Sequence, residues 1–206
     1  LSTFNNTAYL VTSSLTLSIT FEEDEFFIKK LTQGRSYGVT YWKDKLWIGR
    51  KEQLFTLDIL NNKEDAKPVD LFPYPINTLE VCRDNKLFIA TNGNGLYRYD
   101  GQQVDTIREF LDTRIRIKSI HIDKENHLWI ATNKGIGMVE IISGKPFKYN
   151  FWMVTKSYGL ISDEINAIHK VKSKIYVATA KGLTILNEND MCTYYNLESN
   201  KAGISL

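Results

Sequence analysis

The sequence has 206 residues, of which 43% are hydrophobic and 24% are charged, and a chain of this length and balance can bury a substantial core. Its 26 basic and 24 acidic residues give a net charge of +2. The basic residues are scattered, so the composition argues against nucleic-acid binding. No apolar run reaches the roughly 18 to 20 residues that a membrane-spanning helix needs. The chain also lacks a start Met and a signal-peptide pattern, so we expect a piece of a longer protein whose membrane anchor lies elsewhere.

A five-residue pattern recurs along the chain in the order aliphatic, aromatic, β-branched, small, then Thr or Arg. Its copies occupy residues 8–12, 46–50, 87–91, 128–132 and 175–179, and the first copy is degenerate. Successive copies begin 38, 41, 41 and 47 residues apart. A nearly constant period in this range indicates a repeat architecture.

Each copy has companion segments that read as further strands. Paired aliphatic residues three apart precede the pattern, as in Ile76 and Leu79, and a glycine followed by a third strand comes after it in three of the four clear copies. Turn signals then occur at 22–25, 61–62, 100–101, 143–144 and 187–190. More polar fourth strands are predicted at 26–31, 69–72, 104–110, 147–154 and 192–197. Residues 106–117 have partial helical spacing, so a local helix is the alternative there.

Four short strands in each unit of about 40 to 45 residues are typical of a β-propeller blade. A lone meander leaves both faces uncovered, so blades must pack on one another. The fold class predicted is therefore all-β, with about five four-stranded antiparallel blades that form a sector of a larger propeller. The repeat copies span approximately 1–34 (partial), 35–75, 76–116, 117–164 and 165–206. The aromatic residues of the pattern are expected to fill the space between blades; they are Tyr9, Trp47, Phe88, Trp129 and Tyr176.

Residues 201–206 are similar to the stretch 158–162 that precedes a first strand. Another repeat is therefore expected to begin there, with exposed blade faces at both ends of the sector.

Residues 117–135 and 158–168 resemble the two-component regulator propeller repeat. That family forms the extracytoplasmic sensor half of many bacterial histidine kinases and hybrid two-component systems, usually as seven-bladed propellers. The resemblance implies a periplasmic location, additional blades, a dimer partner and an oligosaccharide cue. The copy at Leu46 departs from the family pattern, because residues 50–53 replace the threonine and the glycine turn.

In a four-stranded meander, the links that follow the repeated pattern emerge at the same end as the links that lead into each first strand. Loops that converge in this way commonly carry binding residues. The candidate ligand-binding residues are Arg35, Arg50, Tyr74, Asn92, Asn94, Arg114, Asn133, Lys134, Asp163 and Lys181. Their amides, cations and aromatic ring suit a sugar or acidic sugar, although ordinary exposed loops have the same composition.

The sequence supports no catalytic residue, metal or cofactor. His121 and His169 hold the same repeat position, as does Glu80 one repeat earlier, which would allow a metal site; repeat equivalence alone is the simpler explanation. Residues 123–126 fit a hairpin turn better than a calcium loop, and His127 is expected to be solvent-exposed. The two cysteines, Cys82 and Cys192, are interpreted as buried thiols and not as a disulfide.

These features favour a non-catalytic ligand-sensing propeller segment of a two-component receptor. One alternative is a propeller that binds a protein partner in secretion or envelope assembly. The other is a propeller lyase or hydrolase, which would need a deep axial pocket lined by His121 and His169.

Overall fold

The computed structural model describes residues 1–59, 66–142, 146–187, 192–196 and 202–205, the last two ranges by their backbone only. The turns predicted at 61–62, 143–144 and 188–190 and the side chain of Cys192 lie outside these residues. The chain divides into two compact units, Leu1–Arg108 and Glu109–Leu206.

The regular structure of the described residues is β-strand apart from two short 3-10 turns, at Arg108–Phe110 and Lys156–Tyr158. The strands form five antiparallel meanders. The first unit contains three of these sheets. The first sheet comprises β1 (Ser2–Phe4), β2 (Thr7–Val11), β3 (Leu15–Glu22) and β4 (Glu25–Gln33), and the second comprises β5 (Ser36–Trp42), β6 (Lys45–Arg50), β7 (Leu54–Leu57) and β8 (Lys67–Val69). The third sheet comprises β9 (Ile76–Val81), β10 (Leu87–Thr91), β11 (Leu96–Tyr99) and β12 (Val104–Ile107).

The second unit contains the other two sheets. The fourth sheet comprises β13 (Ile117–Ile122), β14 (His127–Thr132), β15 (Gly135–Ile142) and β16 (Lys148–Val154). The fifth sheet comprises β17 (Ile165–Val171), β18 (Lys174–Thr179), β19 (Gly182–Asn187), β20 (Cys192–Asn196) and β21 (Ala202–Ser205). The chain is thus all-β and consists of five β-propeller blades, as the repeat predicts.

Three details differ from the sequence-based expectations. The fourth strand of the second blade spans Lys67–Val69, so Phe72 lies in the following turn, where its N–H donates to the carbonyl of Val69 at 3.1 Å. The segment with partial helical spacing is strand as far as Ile107 and then makes a single 3-10 turn. Residues 202–205 pair with β20 as a fifth strand of the last sheet and do not begin a new one, which gives the backbone groups of that edge their partners.

The core of the first unit lies between successive sheets. Tyr9 packs with Val39 and Leu46 of the second sheet, and Trp47 packs with Ile76 and Leu79 of the third. Residues on facing sheets meet because alternate side chains of each strand point to the same face. The prediction that these two aromatic residues fill the space between blades is confirmed.

The second unit has a core of the same kind. Trp129 is buried with Ala131 and Ile136 of its own sheet and with Ile165 and Ile168 of the fifth sheet. Phe88, the aromatic of the third blade, is fully buried. Tyr176 was predicted to be an interblade residue, and this stays a prediction. Its side chain is 36% exposed, because within the described chain no sheet follows the fifth one to cover it.

Candidate functional site at the link ends of the blades

The two sets of links do meet at one end of each sheet, which we call its link end. In the first unit the N–H of Asn92, after β10, donates to the carbonyl of Pro75, before β9, at 2.9 Å. In the second unit the N–H of Ala180, after β18, donates to the carbonyl of Glu164, before β17, at 3.2 Å. These bonds satisfy backbone groups that the strand ladders leave unpaired.

A repeated threonine shapes the link after the second strand in the third, fourth and fifth blades. The hydroxyls of Thr91, Thr132 and Thr179 donate to the carbonyls of Gly95, Gly135 and Gly182 at 2.7, 2.7 and 2.9 Å. The same hydroxyls accept the backbone N–H groups of Asn94, Lys134 and Lys181 at 3.0, 2.9 and 3.1 Å. The threonine of the repeated pattern is therefore a turn-forming residue, and it leaves the side chains of Lys134 and Lys181 exposed at the turn.

Arg50 replaces this threonine in the second blade and serves a different structural purpose. Its Nη2 donates to the Thr32 hydroxyl at 3.1 Å and to the carbonyl of Gln33 at 2.8 Å, and its guanidinium lies 4.6 Å from the centre of the Phe55 ring. Burial lowers the pKa of Arg50, and the nearby Glu52 carboxylate partly opposes that shift. Arg50 thus connects the end of β6 to the end of β4. Arg35 is exposed and lies 5.1 Å from the centre of the Tyr37 ring.

Tyr74, Asn92 and Asn94 are brought together at the link end of the third blade. The rings of Tyr74 and Tyr97 are nearly parallel, at 4°, with centroids 6.3 Å apart, and the hydroxyl of Tyr97 donates to the carbonyl of Asn94 at 2.5 Å. The amide of Asn94 reaches the carbonyl of Asn92 at 3.5 Å. Tyr74 remains 36% exposed, and the side chain of Asn92 is exposed beside it.

In the second unit, Asn133 and Arg114 also meet, but through structural bonds. The side chain of Asn133 accepts from the N–H of Arg116 at 2.7 Å and donates to the carbonyl of Arg114 at 3.0 Å. Arg114 makes a two-pronged ion pair with Asp112, and its hydrogen bonds lower the pKa of Asp112 to about 2. Both polar ends of the Asn133 amide are therefore already occupied.

Asp163 and Lys181 stand apart from the other predicted site residues. The Asp163 carboxylate accepts the N–H of Lys156 at 2.6 Å and so anchors the 3-10 turn before the fifth blade. Among the described residues, no hydrogen bond joins Asp163 or Lys181 to another member of the predicted set.

The first strands of the second unit bring polar side chains into a row. The rings of His121 and His169 lie 4.3 Å apart, centre to centre, and the Lys118 ammonium donates to Glu164 at 2.9 Å and Asn166 at 2.8 Å. Burial lowers the pKa of His121, and repulsion from His169 lowers it further, against an opposing effect of Asp123. The predicted juxtaposition of the two histidines is thus observed, whereas Glu80 belongs to the first unit.

Asp123 lies at the centre of a buried polar network that sequence reasoning missed. Its Oδ2 accepts the indole N–H of Trp129 at 2.8 Å and lies 3.2 Å from Nζ of Lys170. Oδ1 accepts backbone N–H groups of Glu125 and His127 at 3.0 and 2.8 Å. Burial by itself would raise the pKa of Asp123, but the hydrogen bonds from Trp129, His127 and Lys170 lower it on balance. The hairpin turn predicted here is confirmed, with Asn126 at φ 67°.

The same network decides two questions about this turn. His127 is half-buried, with Nδ1 3.3 Å from Asp123, so the expectation that it is simply solvent-exposed is wrong. Ligand atoms of Asp123, Glu125 and His127 lie within 4.8 Å of one another, as in a metal site, but Nζ of Lys170 is 3.2 Å from both carboxylates. That ammonium already supplies the positive charge, so the cluster is an ion-pair network between the fourth and fifth sheets. Its partner Lys170 comes from another blade, which no local sequence signal reveals.

No protein-family model matches the chain, and no curated protein matches it. Solved structures share its fold at low identity. One is the extracellular domain of BT4673 from B. thetaiotaomicron, at 14% identity and a TM-score of 0.67, covering 97% of this chain and 32% of that one. A second solved structure is that of the extracellular domain of the hybrid two component system BT4673. The present chain thus spans about a third of that ectodomain.

Two other solved structures belong to different proteins. A catalytically inactive virginiamycin B lyase from Staphylococcus aureus, with quinupristin, is 13% identical with a TM-score of 0.63, covering 91% of this chain and 64% of that one. YCF48 bound to D1 peptide is 11% identical with a TM-score of 0.62, covering 89% and 61%. At such identities the likeness establishes the fold alone. No helix among the described residues is long and apolar enough to cross a membrane.

Proposed function

We propose that this chain is a non-catalytic, ligand-sensing propeller segment of a bacterial two-component receptor, and that it recognises an extracellular oligosaccharide. The observation that carries the proposal is the exposed face of Tyr74 with Asn92 and Asn94 beside it at the link end of the third blade. The fold likeness to the BT4673 extracellular domain supports the receptor part and an extracytoplasmic location.

The Tyr74 site has the chemistry that sugar binding needs. An aromatic ring offers a flat apolar face for the C–H groups of a pyranose, and amides can both donate to and accept from its hydroxyls. The Tyr97 ring stacks on Tyr74 and is itself held by the hydrogen bond from its hydroxyl to Asn94. The Tyr74 ring is therefore ordered before a ligand binds. Preorganised groups of this kind lose little entropy on binding. The signal would be a shift in the population of receptor states caused by the bound ligand.

The test is titration calorimetry of the chain against a panel of neutral and acidic oligosaccharides. A binding member of the panel should lose about fivefold to tenfold in affinity in Tyr74→Ala, because the stacking face is removed, and should keep its affinity in Tyr74→Phe. Tyr158→Ala is the matched control, since Tyr158 is 69% exposed in the other unit. Absence of binding across the panel, or equal affinities for Tyr74→Ala and the parent, would reject this site.

The lyase alternative rests on one observation, the contact between His121 and His169. A lowered pKa keeps His121 neutral near pH 7, which suits a general base. Incubation with quinupristin followed by mass spectrometry tests it. Turnover that disappears in both His121→Gln and His169→Gln would replace the sensor proposal by an enzymatic one.

The remaining alternative is a protein-binding propeller, for which the likeness to the peptide-bound YCF48 structure gives fold-level support only. Competition distinguishes it from the sensor. A peptide ligand found by display should be displaced by the oligosaccharide if both use Tyr74, and should be unaffected by sugar if the protein partner binds elsewhere.

A further inference from the structure

The outer edge of the first sheet is a long strand with an apolar surface. β4 (Glu25–Gln33) has nine residues and is the longest strand that the structure describes. It pairs with β3 on one side, and within the described part of the chain its other side has no strand partner. Phe26, Phe27 and Ile28 are 72%, 52% and 68% exposed. A long edge with consecutive exposed apolar residues is a surface on which another strand can pair.

Three other outer strands are protected against such pairing. β8 has only three residues, one of which is Pro68. β12 has four residues and runs directly into a 3-10 turn, and β20 has β21 on its outer side. Short length, proline and a covering strand are common ways to block an edge. The segment 25–30 of β4 has no proline, and the register shift of its sheet, between Thr16 and Leu17, lies beyond it.

The backbone of β4 directs hydrogen-bonding groups outward at two of its exposed apolar residues. A two-residue turn at 23–24, in which both φ values are positive (49° and 65°), joins β3 to β4, and the residues that flank such a turn form a hydrogen-bonded pair. Because the two kinds of pair alternate along an antiparallel ladder, the N–H and C=O groups of Phe26 and Ile28 point away from β3. In agreement, the N–H of Phe21, which lies opposite Phe26, donates to the carbonyl of Asn6 at 3.1 Å.

The charges along this edge are complementary to those of a second copy. Acidic residues occupy positions 22–25, apolar residues 26–28, and lysines positions 29 and 30, and all of these side chains are exposed. When two such strands meet in antiparallel direction, the acidic end of each faces the basic end of the other, and opposite charges across a strand pair are favourable. Lys29 also has a contact within its own chain; its ammonium has three donors, so it can serve two partners.

A single register satisfies the backbone, the apolar residues and the charges together. With Phe27 opposite Phe27 of a second copy, Phe26 lies opposite Ile28, and Glu25 lies opposite Lys29. Phe26 and Ile28 then form the hydrogen-bonded pairs, and the two Phe27 residues form a non-hydrogen-bonded pair with Cα atoms about 4.5 Å apart. The ring of Phe21 lies 4.9 Å from that of Phe26 and extends the apolar face that the two copies share.

We propose that the outer edge of β4 is a self-association surface, at which two copies of this chain pair antiparallel through residues 25–29 and join their first sheets. The charge pattern identifies the occupant as a second copy, since each strand supplies what the other lacks. A contact of this length is at the low end of specific interfaces, so the dimer is weak and reversible. It does not use Tyr74 and is independent of the oligosaccharide proposal.

Sedimentation velocity of the chain from about 5 to about 500 μM tests the proposal. A monomer–dimer equilibrium is expected, with a dissociation constant on the order of 10 to 100 μM and with nothing larger than the dimer, because the pairing consumes the edge. Ile28→Pro removes an N–H that points outward and leaves the bonds to β3, so it should give a monomer. Ile28→Val is the matched control and should dimerise, as should Tyr74→Ala.

A charge exchange checks the register and replaces Ile28→Pro if that variant does not fold. Glu25→Lys should weaken the dimer by about fivefold or more, because like charges then face each other. Combining it with Lys29→Glu should restore the affinity of the parent, since the opposite charges face each other again.

Disulfide trapping checks the centre of the pair in a Cys192→Ser background, in which Cys82 is buried. Phe27→Cys should form a covalent dimer on mild oxidation, because the two Cα atoms lie within disulfide reach. Phe26→Cys is the matched control: its side chain is the more exposed one, yet it lies opposite Ile28 and should cross-link more slowly. The proposal is overturned by a monomer at about 500 μM, by growth beyond the dimer, by a dimer that folded Ile28→Pro or Glu25→Lys leaves unchanged, or by Phe26→Cys cross-linking as fast as Phe27→Cys.

Discussion

Trp129 shows how one side chain of the repeated pattern meets two demands. Its ring is 6% exposed and packs against the fifth sheet, while its indole N–H donates to Asp123 at 2.8 Å. A buried indole needs an acceptor because an unpaired N–H is costly. The aromatic position was predictable from the repeat. The acceptor of the indole N–H, by contrast, depends on the position of the Asp123 carboxylate in the turn after β13.

Replacing Trp129 by alanine should lower the free energy of unfolding by about 3 to 5 kcal/mol, because the change leaves a cavity in the core. Trp129→Phe keeps most of the packing but removes the N–H, and it should cost about 1 to 3 kcal/mol. Chemical denaturation of the three proteins gives the comparison. A Trp129→Ala midpoint equal to that of the parent would remove the packing role assigned to this residue.

At the scale of single elements, the threonine that ends β10, β14 and β18 has a clear physical purpose. The repeated sequence pattern ends in Thr or Arg, and the structure shows that the Thr132 hydroxyl closes its link by pairing with one carbonyl and one N–H. Gly135, which follows, has φ 120°, and a Cβ there would lie 2.4 Å from the carbonyl oxygen of Val154. The turn therefore requires both residues.

Thr132→Val retains the shape of the side chain and removes the hydroxyl. It should lower the free energy of unfolding by about 1 to 3 kcal/mol, because a buried carbonyl and an N–H lose their partner. Thr184→Val is the matched control: Thr184 is fully buried and its hydroxyl has no hydrogen-bond partner among the residues whose side chains are described, so this change should be neutral or stabilising. If the two variants unfold at the same denaturant concentration, the turn does not depend on Thr132.

The contact between the first strands β13 and β17 predicts a dependence of stability on pH. The folded state holds the pKa of His121 below its ordinary value, so the unfolded chain binds more protons as the pH falls through that range. Stability should then decrease from about pH 7.5 to about pH 5.5 and level off once His121 is protonated in the folded state.

The measurement is urea denaturation at both pH values in a His127→Gln background, in which His121 and His169 are the only remaining histidines. Adding His121→Gln should reduce the difference between the two pH values. A pH dependence that is the same with and without His121 would show that the pair is not its source.

At the scale of the whole molecule, each unit buries its own core, and the cores lie between sheets and not within them. The stability of such a repeat protein comes largely from contacts between neighbouring repeats. Cys82 is a useful reporter of the first unit, because it is free and 3% exposed. Burial and its hydrogen bond to Asp84 raise the pKa of the Cys82 thiol to about 12.

A thiol reagent should therefore label Cys82 slowly in the folded protein, since the reactive thiolate is scarce. In a Cys192→Ser variant, labelling should accelerate only over the denaturant range in which the sheets unfold. Rapid labelling without denaturant, at the rate of an unstructured cysteine peptide, would show that the first unit opens locally.

The sequence by itself determined the blade repeat and the buried aromatic residues Tyr9, Trp47, Phe88 and Trp129, because these depend on the alternation of side chains along a strand and on a period of about 40 residues. It also predicted that the links meet at one end of each sheet. Only the tertiary structure decided which link residues are available to a ligand. Arg50 and Asn133 are occupied by bonds to neighbouring links, whereas Tyr74 remains 36% exposed. These outcomes depend on residues from different blades, and the distance between such residues in space is not encoded in their spacing along the chain.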